Sequence, residues 1–340
     1  MSSSYKALQV HQLSQDFAAA VRVVRQPLLP PSTKQLLIKV VYAGVNATDV
    51  NMSAGRYFTP PKPPFGVGLE ALGVVAGVGS SVTGFQEGDC VLVVMGTACY
   101  AEYTLASQSQ VFKVDSLDPR FLLSSISGLT AAIGLEKCGR LTKGETLLVT
   151  AAAGGTGHVA VQWGKRLGAH VVGVTSSDSK AAVLQQLGVD HVINYRKEDL
   201  MQALSRDFPQ GVDVIWETLG AGWLDDLFEH LKPRGRLVIV GGTSAYKRED
   251  FPETRIKGLT YKLRVRGTSL TGFRLPLYAD LMPEYQASLA RDIANGSLTA
   301  IMDDGTESSG KAFQGIHEVA RAVAHLHSGS SVGKVVVKVA

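Results

Sequence analysis

Leu147-Leu148-Val149-Thr150-Ala151-Ala152-Ala153-Gly154-Gly155-Thr156-Gly157-His158 runs from an apolar strand through a turn of small residues into the start of a helix. Small side chains let a backbone approach phosphate oxygens. A helix N-terminus offers unpaired N–H groups and the positive end of its dipole to their charge. The spacing Ala151-x-x-Gly154-x-x-Gly157 departs from the commoner G-x-G-x-x-G, so its meaning depends on the residues C-terminal to it. Val159 to Gly168 carries helical apolar spacing and ends on glycine, and His170-Val171-Val172-Gly173-Val174-Thr175 suits a buried strand. The result is a complete strand-turn-helix-strand unit that would cradle a dinucleotide pyrophosphate.

The second strand ends in Ser176-Ser177-Asp178-Ser179-Lys180, where such a fold reads the adenosine ribose. An acidic residue directly at the strand end would bind the ribose hydroxyls and favour NAD. Hydroxyls and a lysine point instead to a 2′-phosphate, and so to NADP. Asp178 is the residue that argues for NAD. Ser176 and Ser177 also admit a reading as loop residues that cap a helix starting near Lys180.

The 340 residues, 45% hydrophobic and 19% charged, fit a two-domain enzyme with a large core. No apolar run approaches the ~20 residues of a spanning helix. Met1 to Lys6 enters an alternating strand pattern without a signal-peptide core. The net charge of +4 is small for the length. Lys262, Arg264 and Arg266 alternate, the pattern of one solvated strand face, and form no nucleic-acid stripe. Three cysteines, Cys90, Cys99 and Cys138, supply neither a disulfide framework nor a four-cysteine zinc lobe, so reduced thiols are expected. Pro60-Pro61-Lys62-Pro63-Pro64 reads as a stiff extended connection.

Up to about residue 124 the chain is strand-rich, with Leu36 to Val45, Leu72 to Gly79 and Cys90 to Val94 separated by glycine turns, which predicts a bent antiparallel β domain. From about Leu122 helices and strands alternate. Val212 to Glu217 and Gly235 to Gly241 are further buried strands, giving an α/β, doubly wound, Rossmann-type parallel sheet. Val332 to Val339 is strand again and is expected to return to the first domain. The expected division is residues 1–124 with 273–340 as a discontinuous β-rich domain and 125–272 as the dinucleotide domain. The active cleft is expected between them.

Gly44-Val45-Asn46-Ala47-Thr48-Asp49, Gly68-Leu69-Glu70-Ala71-Leu72-Gly73-Val74-Val75, Gly84 to Val91, Ala101-Glu102-Tyr103, Gly128-Leu129-Thr130-Ala131-Ala132, the glycine turn and Gly333-Lys334-Val335-Val336 succeed one another along nearly the whole chain. In these motifs the chain resembles the medium-chain dehydrogenase/reductases, within them the zinc-free quinone oxidoreductase and enone reductase branch. The resemblance implies that the β-rich domain is GroES-like. Zinc members carry a cysteine where this chain has Asn46 and a histidine where it has Leu69. A catalytic zinc needs about three protein donors and an open position, which Glu70 alone does not supply. No metal is therefore expected, and Glu70 reads as a buried carboxylate bonded to backbone. Alcohol chemistry, which needs a Lewis acid, becomes an unsuitable reading.

The resemblance implies NADPH as cofactor and hydride addition to a carbon–carbon double bond conjugated to a carbonyl, or to a quinone. Keto-prostaglandin-like lipid enones are the implied substrates. An enolate left by hydride addition needs hydrogen-bond donors and a proton, for which Asn46 and Tyr57 are the candidates. Asn46 is implied beside the nicotinamide, with a brace for its own loop as the alternative. Tyr57 matches a proton-donating tyrosine of the branch, or else forms pocket wall. Further implied cofactor contacts are Thr130, Ala153, Gly154, Gly155, Thr156 and Gly157. Ser176, Lys180 and Tyr195 are implied at the 2′-phosphate, and Thr218, Gly241, Thr243 and Tyr246 on strand-end loops. Tyr195 has the alternative of a surface aromatic. Phe273 would reach over the nicotinamide or pack the domain junction. Ser331 stands where close relatives carry asparagine and offers fewer hydrogen bonds.

Leu263 to Ser269 reads as a late edge strand. The branch commonly pairs that strand across a two-fold axis, which implies a homodimer. A quinone reductase and a catalytically idle NADPH-binding protein remain as alternatives. The end Val339-Ala340 carries no Ser-Lys-Leu-type signal, leaving the cytoplasm as the expected compartment with the peroxisome open.

Overall fold

Residues 171–175 are all buried, as in a strand covered by helices on both faces. In the computed structural model, which describes residues 4–57, 62–220, 222–248 and 256–339, this strand (His170–Thr175) belongs to a six-stranded parallel sheet. The strands lie in the order His191–Asn194, His170–Thr175, Thr146–Val149, Val212–Glu217, Leu231–Ile239 and Ser269–Gly272. The first three along the chain thus step outward one way and the last three the other, which is the doubly wound topology. Leu148, Val172, Ile193, Leu204, Ile215, Phe228 and Leu237 fill one layer of its core. Pro60 and Pro61 of the proline-rich connection, Met1 to Ser3 and Ala340 lie outside the described residues.

The chain divides into two compact units, residues 127–285 and residues 1–126 with 286–340. The second crossing falls later than residue 272 because residues 273–285 pack on the parallel-sheet unit. Phe273 stacks on Tyr278 at 5.2 Å between ring centroids, and the Tyr285 hydroxyl donates to Glu136 at 2.6 Å.

In the other unit the strands Lys334–Lys338, Gln35–Gly44, Glu70–Val78, Cys90–Val94 and Val111–Lys113 form a consecutive antiparallel run. Tyr103–Ser107 pairs with Gln35–Gly44 off this path, and Met302–Asp303 joins in parallel at the outer side of Lys334–Lys338. A smaller sheet holds Val21–Pro27, Ser4–Val10 and Phe65–Gly66. The last strand returns as expected, so the β-rich unit is discontinuous in sequence.

One expectation is corrected. Leu263 to Ser269 is not a strand: Leu259–Arg266 is a helix between left-handed Gly258 and Gly267, and the sheet edge is Ser269–Gly272. Lys262, Arg264 and Arg266 therefore do not line a strand face. Alternation at period two also leaves Lys262 and Arg266 four apart, on one side of a helix. That side meets Glu229: Lys262 Nζ pairs with its carboxylate, and Arg266 lies 3.7 Å from it while donating to the Leu231 carbonyl.

Candidate active site

The strands Thr146–Val149 and Val212–Glu217 are neighbours whose successors depart in opposite directions, and ligands of open α/β sheets bind beyond the carboxyl ends at such a switch point. Thr150 sits directly there. Its N–H donates to the Trp216 carbonyl at 3.1 Å, and its hydroxyl accepts the Thr218 N–H at 3.0 Å. Ala151 then turns at φ +47°, and the Ala152 N–H ties the turn to the Val174 carbonyl at 3.0 Å. A Cβ on Gly157 would lie 2.2 Å from the Ala151 oxygen, so only glycine lets the helix Gly157–Arg166 begin this close to the turn. Ala153, Gly154, Gly155 and Thr156 leave the space above the helix N-terminus to small side chains. The cradle fits a pyrophosphate.

At the expected adenosine end, Ser177 accepts the Lys180 N–H at 3.3 Å and caps the helix Asp178–Gln186. Asp178 spends its carboxylate on Lys197, at 2.6 Å, and on the Asn194 amide, at 3.1 Å. The Lys197 contact holds its carboxyl below the usual range. The residue that argued for NAD is thus engaged by a second lysine, which the sequence signalled only as the basic end of Tyr195-Arg196-Lys197. Tyr195 meets Trp223 edge to face at 4.8 Å, and its hydroxyl takes no hydrogen-bond partner among the described residues. Ser176 lies in the bend between these groups.

The next two strand-end loops are tied together. The Thr243 N–H and hydroxyl both donate to the Thr218 carbonyl, at 3.1 and 3.2 Å, and the Gly242 N–H donates to the Tyr246 hydroxyl at 3.2 Å. Gly241 lies between them, where a Cβ would come 3.1 Å from the Thr218 oxygen. Glu217, which the sequence reading did not single out, organises this region by accepting the Leu219 and Gly220 N–H groups at 2.7 and 2.9 Å. Thr130 is half-buried on the helix Ile126–Ile133. The Phe273 ring lies against Tyr278 and 6.4 Å from Trp216.

Asn46 belongs to the other unit and is buried in a polar cluster. Its Nδ2 donates to Glu70 Oε1 at 2.8 Å, and its Oδ1 accepts from Lys334 Nζ at 2.8 Å. The same ammonium pairs with Glu70 and donates to the Val45 carbonyl at 3.1 Å. Glu70 Oε2 accepts the Ile126 N–H at 3.1 Å, the backbone bond expected of it. A Cβ on Gly44 would fall 2.3 Å from Glu70 Oε1, so glycine there makes room for the carboxylate. Asp49 accepts the Asn46 N–H at 2.8 Å and the Tyr100 hydroxyl. Lys334, Asp49 and Tyr100 were not among the sequence candidates. The only signal for Asp49 and Lys334 was membership of ordered motifs, and Tyr100 directly precedes one.

Tyr57 lies just beyond the short helix Asp49–Ser53 and is half-buried. Ser331 is buried in the loop before Lys334–Lys338. A zinc site does not fit these donors. Of positions 46, 69 and 70, one is an amide, one an apolar leucine, and the carboxylate is occupied by an ammonium, an amide and a backbone N–H.

Burial pushes Asp49 up to about 7 and Glu217 up to about 7, against the pull of the hydrogen bonds each accepts. A carboxyl whose folded value exceeds its unfolded value of about 4 holds its proton longer when folded. It contributes stability in full below the unfolded value and loses it as the pH rises through the folded one. The stability of the protein should therefore decline between about pH 4 and pH 7 more steeply than that of the double variant Asp49→Asn/Glu217→Gln. Urea unfolding across this range checks it, and parallel profiles would refute it.

A parallel sheet with a glycine turn at its switch point, in a chain that also carries a curled antiparallel unit with a buried amide–carboxylate–ammonium cluster, defines a two-domain dinucleotide oxidoreductase. Residues 155–285 match the family model described as zinc-binding dehydrogenase, and residues 32–116 the alcohol dehydrogenase GroES-like domain. The chain belongs to the medium-chain dehydrogenase/reductase family. It is 40% identical to a probable quinone oxidoreductase of Leishmania amazonensis over 99% of this chain and 98% of that protein. It is 37% identical to prostaglandin reductase-3 of Mus musculus over 97% and 88%. A mycobacterial protein solved in complex with NADPH superimposes with a TM-score of 0.84 at 26% identity, covering 98% of this chain and 99% of that one.

Proposed function

We propose that this protein is an NADPH-dependent, metal-independent reductase of carbon–carbon double bonds conjugated to a carbonyl, with 15-oxo-prostaglandin-like lipid enones as its substrates. The observation that carries the reading is Lys334 seated on Glu70 and Asn46. With these donors committed to an ammonium, the acceptor must hold the arriving electrons without a Lewis acid, as an enone does and a simple ketone does not. The small-residue turn and the names of the mouse and mycobacterial relatives support the cofactor and the substrate class.

With its pyrophosphate held at the turn, NADPH would supply a hydride. The chain's part is to hold the nucleotide by the helix N-terminus and to meet the enolate oxygen with N–H and O–H donors, the roles we assign to Asn46 and Tyr57. A quinone is the second reading, favoured by the Leishmania relative's name. NADPH consumption against enals, enones, quinones and enoyl thioesters tests both. Turnover confined to quinones would replace the first reading by the second, and no turnover on any acceptor would overturn both.

Lys180, Ser176 and Tyr195 are assigned to the 2′-phosphate. Each charge-assisted contact is worth about 1.5 to 3 kcal/mol, so preference for NADPH over NADH should exceed about tenfold and shrink in Lys180→Ala. Equal affinities for the two reduced nucleotides by calorimetry would sink the assignment.

We also assign a homodimer. The strand Ser269–Gly272 ends its sheet, and Tyr261 and Val265, one turn apart on the preceding helix, are 62% and 57% exposed. A two-fold partner would cover both the edge and this apolar pair. Light scattering should return about twice the chain mass of 36.2 kDa, and a monomer at micromolar concentration would contradict it.

A further inference from the structure

The Asn46 side chain is held from two directions by groups that cannot exchange roles. Lys334 has only donors to offer, so it selects the amide oxygen. A Glu70 carboxylate has only acceptors, so it selects the amide nitrogen. Both bonds are 2.8 Å long. The ammonium is further fixed by the Val45 carbonyl at 3.1 Å, and the carboxylate by the Ile126 N–H at 3.1 Å, so neither anchor is loose. One hydrogen of Nδ2 goes to Glu70, and Asn46 takes no further side-chain partner among the described residues. The donor that the amide has left to present is its second N–H.

We propose that Lys334 and Glu70 are positioning residues that lock the Asn46 amide with its remaining N–H outward, so that the site offers a fixed hydrogen-bond donor where zinc relatives hold a metal. The ammonium is this chain's internal counter-cation. It neutralises the buried Glu70 and at the same time sets the amide, so one lysine does structural and orienting work. This inference rests on the reductase reading, in which the enolate oxygen needs a donor. With both anchors neutralised the amide can turn over and present its oxygen, which repels an enolate. The consequence belongs in kcat more than in the binding of NADPH.

The test separates orientation from stability. Lys334→Met alone leaves Glu70 buried and unpaired, and its loss of activity could be loss of fold. Lys334→Met/Glu70→Gln removes both charges and is expected to unfold near the wild-type denaturant midpoint. Its kcat on an enone should nevertheless stay at least tenfold below wild type, with the NADPH dissociation constant within about threefold. Lys334→Arg, which keeps a donor-only cation, should recover part of the loss. In an Asn46→Ala background, Lys334→Met/Glu70→Gln should lower kcat by less than about twofold further, since the anchors then have no amide to set.

A double variant with both wild-type stability and wild-type turnover would show that Lys334 only neutralises charge, and the inference would fall. The same would hold for full additivity in the Asn46→Ala background. Orientation is also readable without turnover, from the ¹⁵N side-chain pair of Asn46 assigned by its loss in Asn46→Ala. Its two hydrogens should be distinct and slow to exchange in the wild type, and averaged or fast in the stable double variant. Wild-type protein inert toward every acceptor would overturn the reductase reading while this measurement still decides the orientation.

Discussion

Tyr57→Phe is expected to cut enone turnover by roughly 10²-fold while leaving the NADPH dissociation constant unchanged. The substitution keeps the ring and removes only the hydroxyl, so it separates proton supply from packing. If the phenol donates to the enolate or to its α carbon, the loss appears in kcat and in kcat/KM alike, because the bond is made only after hydride addition. Quinone reduction should suffer less, since the reduced quinone needs less proton management. Stopped-flow measurement of NADPH oxidation with one enone and one quinone gives both numbers. Unchanged enone turnover would assign protonation to solvent and leave Tyr57 as pocket wall.

Lys334→Met should lower the unfolding free energy by about 3–5 kcal/mol, the range for removing one partner of a buried ion pair. Lys334 and Glu70 are 1% and 0% exposed, so the carboxylate left behind has no water to turn to. Lys334→Arg should cost less, because the charge remains and only its shape changes. Replacing both partners by neutral residues should recover most of the loss, since the penalty belongs to the unpaired charge and not to the missing bond. Urea unfolding at pH 7 measures each step. A Lys334→Met protein as stable as the wild type would mean that the pair contributes nothing to the fold.

The fold is legible in the sequence wherever its signals are local. The glycine turn at 154–157, the apolar run at 170–175 and the returning strand at the C-terminus each announce themselves by spacing or by β-branched content. Leu259–Arg266 misleads because a basic alternation satisfies period two and also places Lys262 and Arg266 one helical turn apart. The helix is realised with Leu259 and Leu263 packed on the sheet core and with Glu229, brought up from an earlier helix, facing both cations. The division of the chain at residue 285 escapes for the same reason. It depends on Phe273, Tyr278 and Tyr285 finding Trp216, Cys138 and Glu136, contacts with no trace in their own neighbourhood.

By itself the sequence determined the class of fold, the small-residue turn between strand and helix, and the absence of a cysteine and a histidine from positions 46 and 69. These rest on periodicity, on the steric needs of a tight turn and on the identity of single residues, all of which a chain carries locally. The tertiary structure alone decided what stands around Asn46. Lys334 Nζ reaches the Asn46 oxygen across 288 positions of sequence, and Asn46 reaches Glu70 across 24. The last strand pairs with Gln35–Gly44, and that pairing brings the ammonium to the amide. No spacing rule encodes a contact of that separation. It exists because a buried carboxylate must find a counter-charge, and folding delivers the one lysine the returning strand can place there.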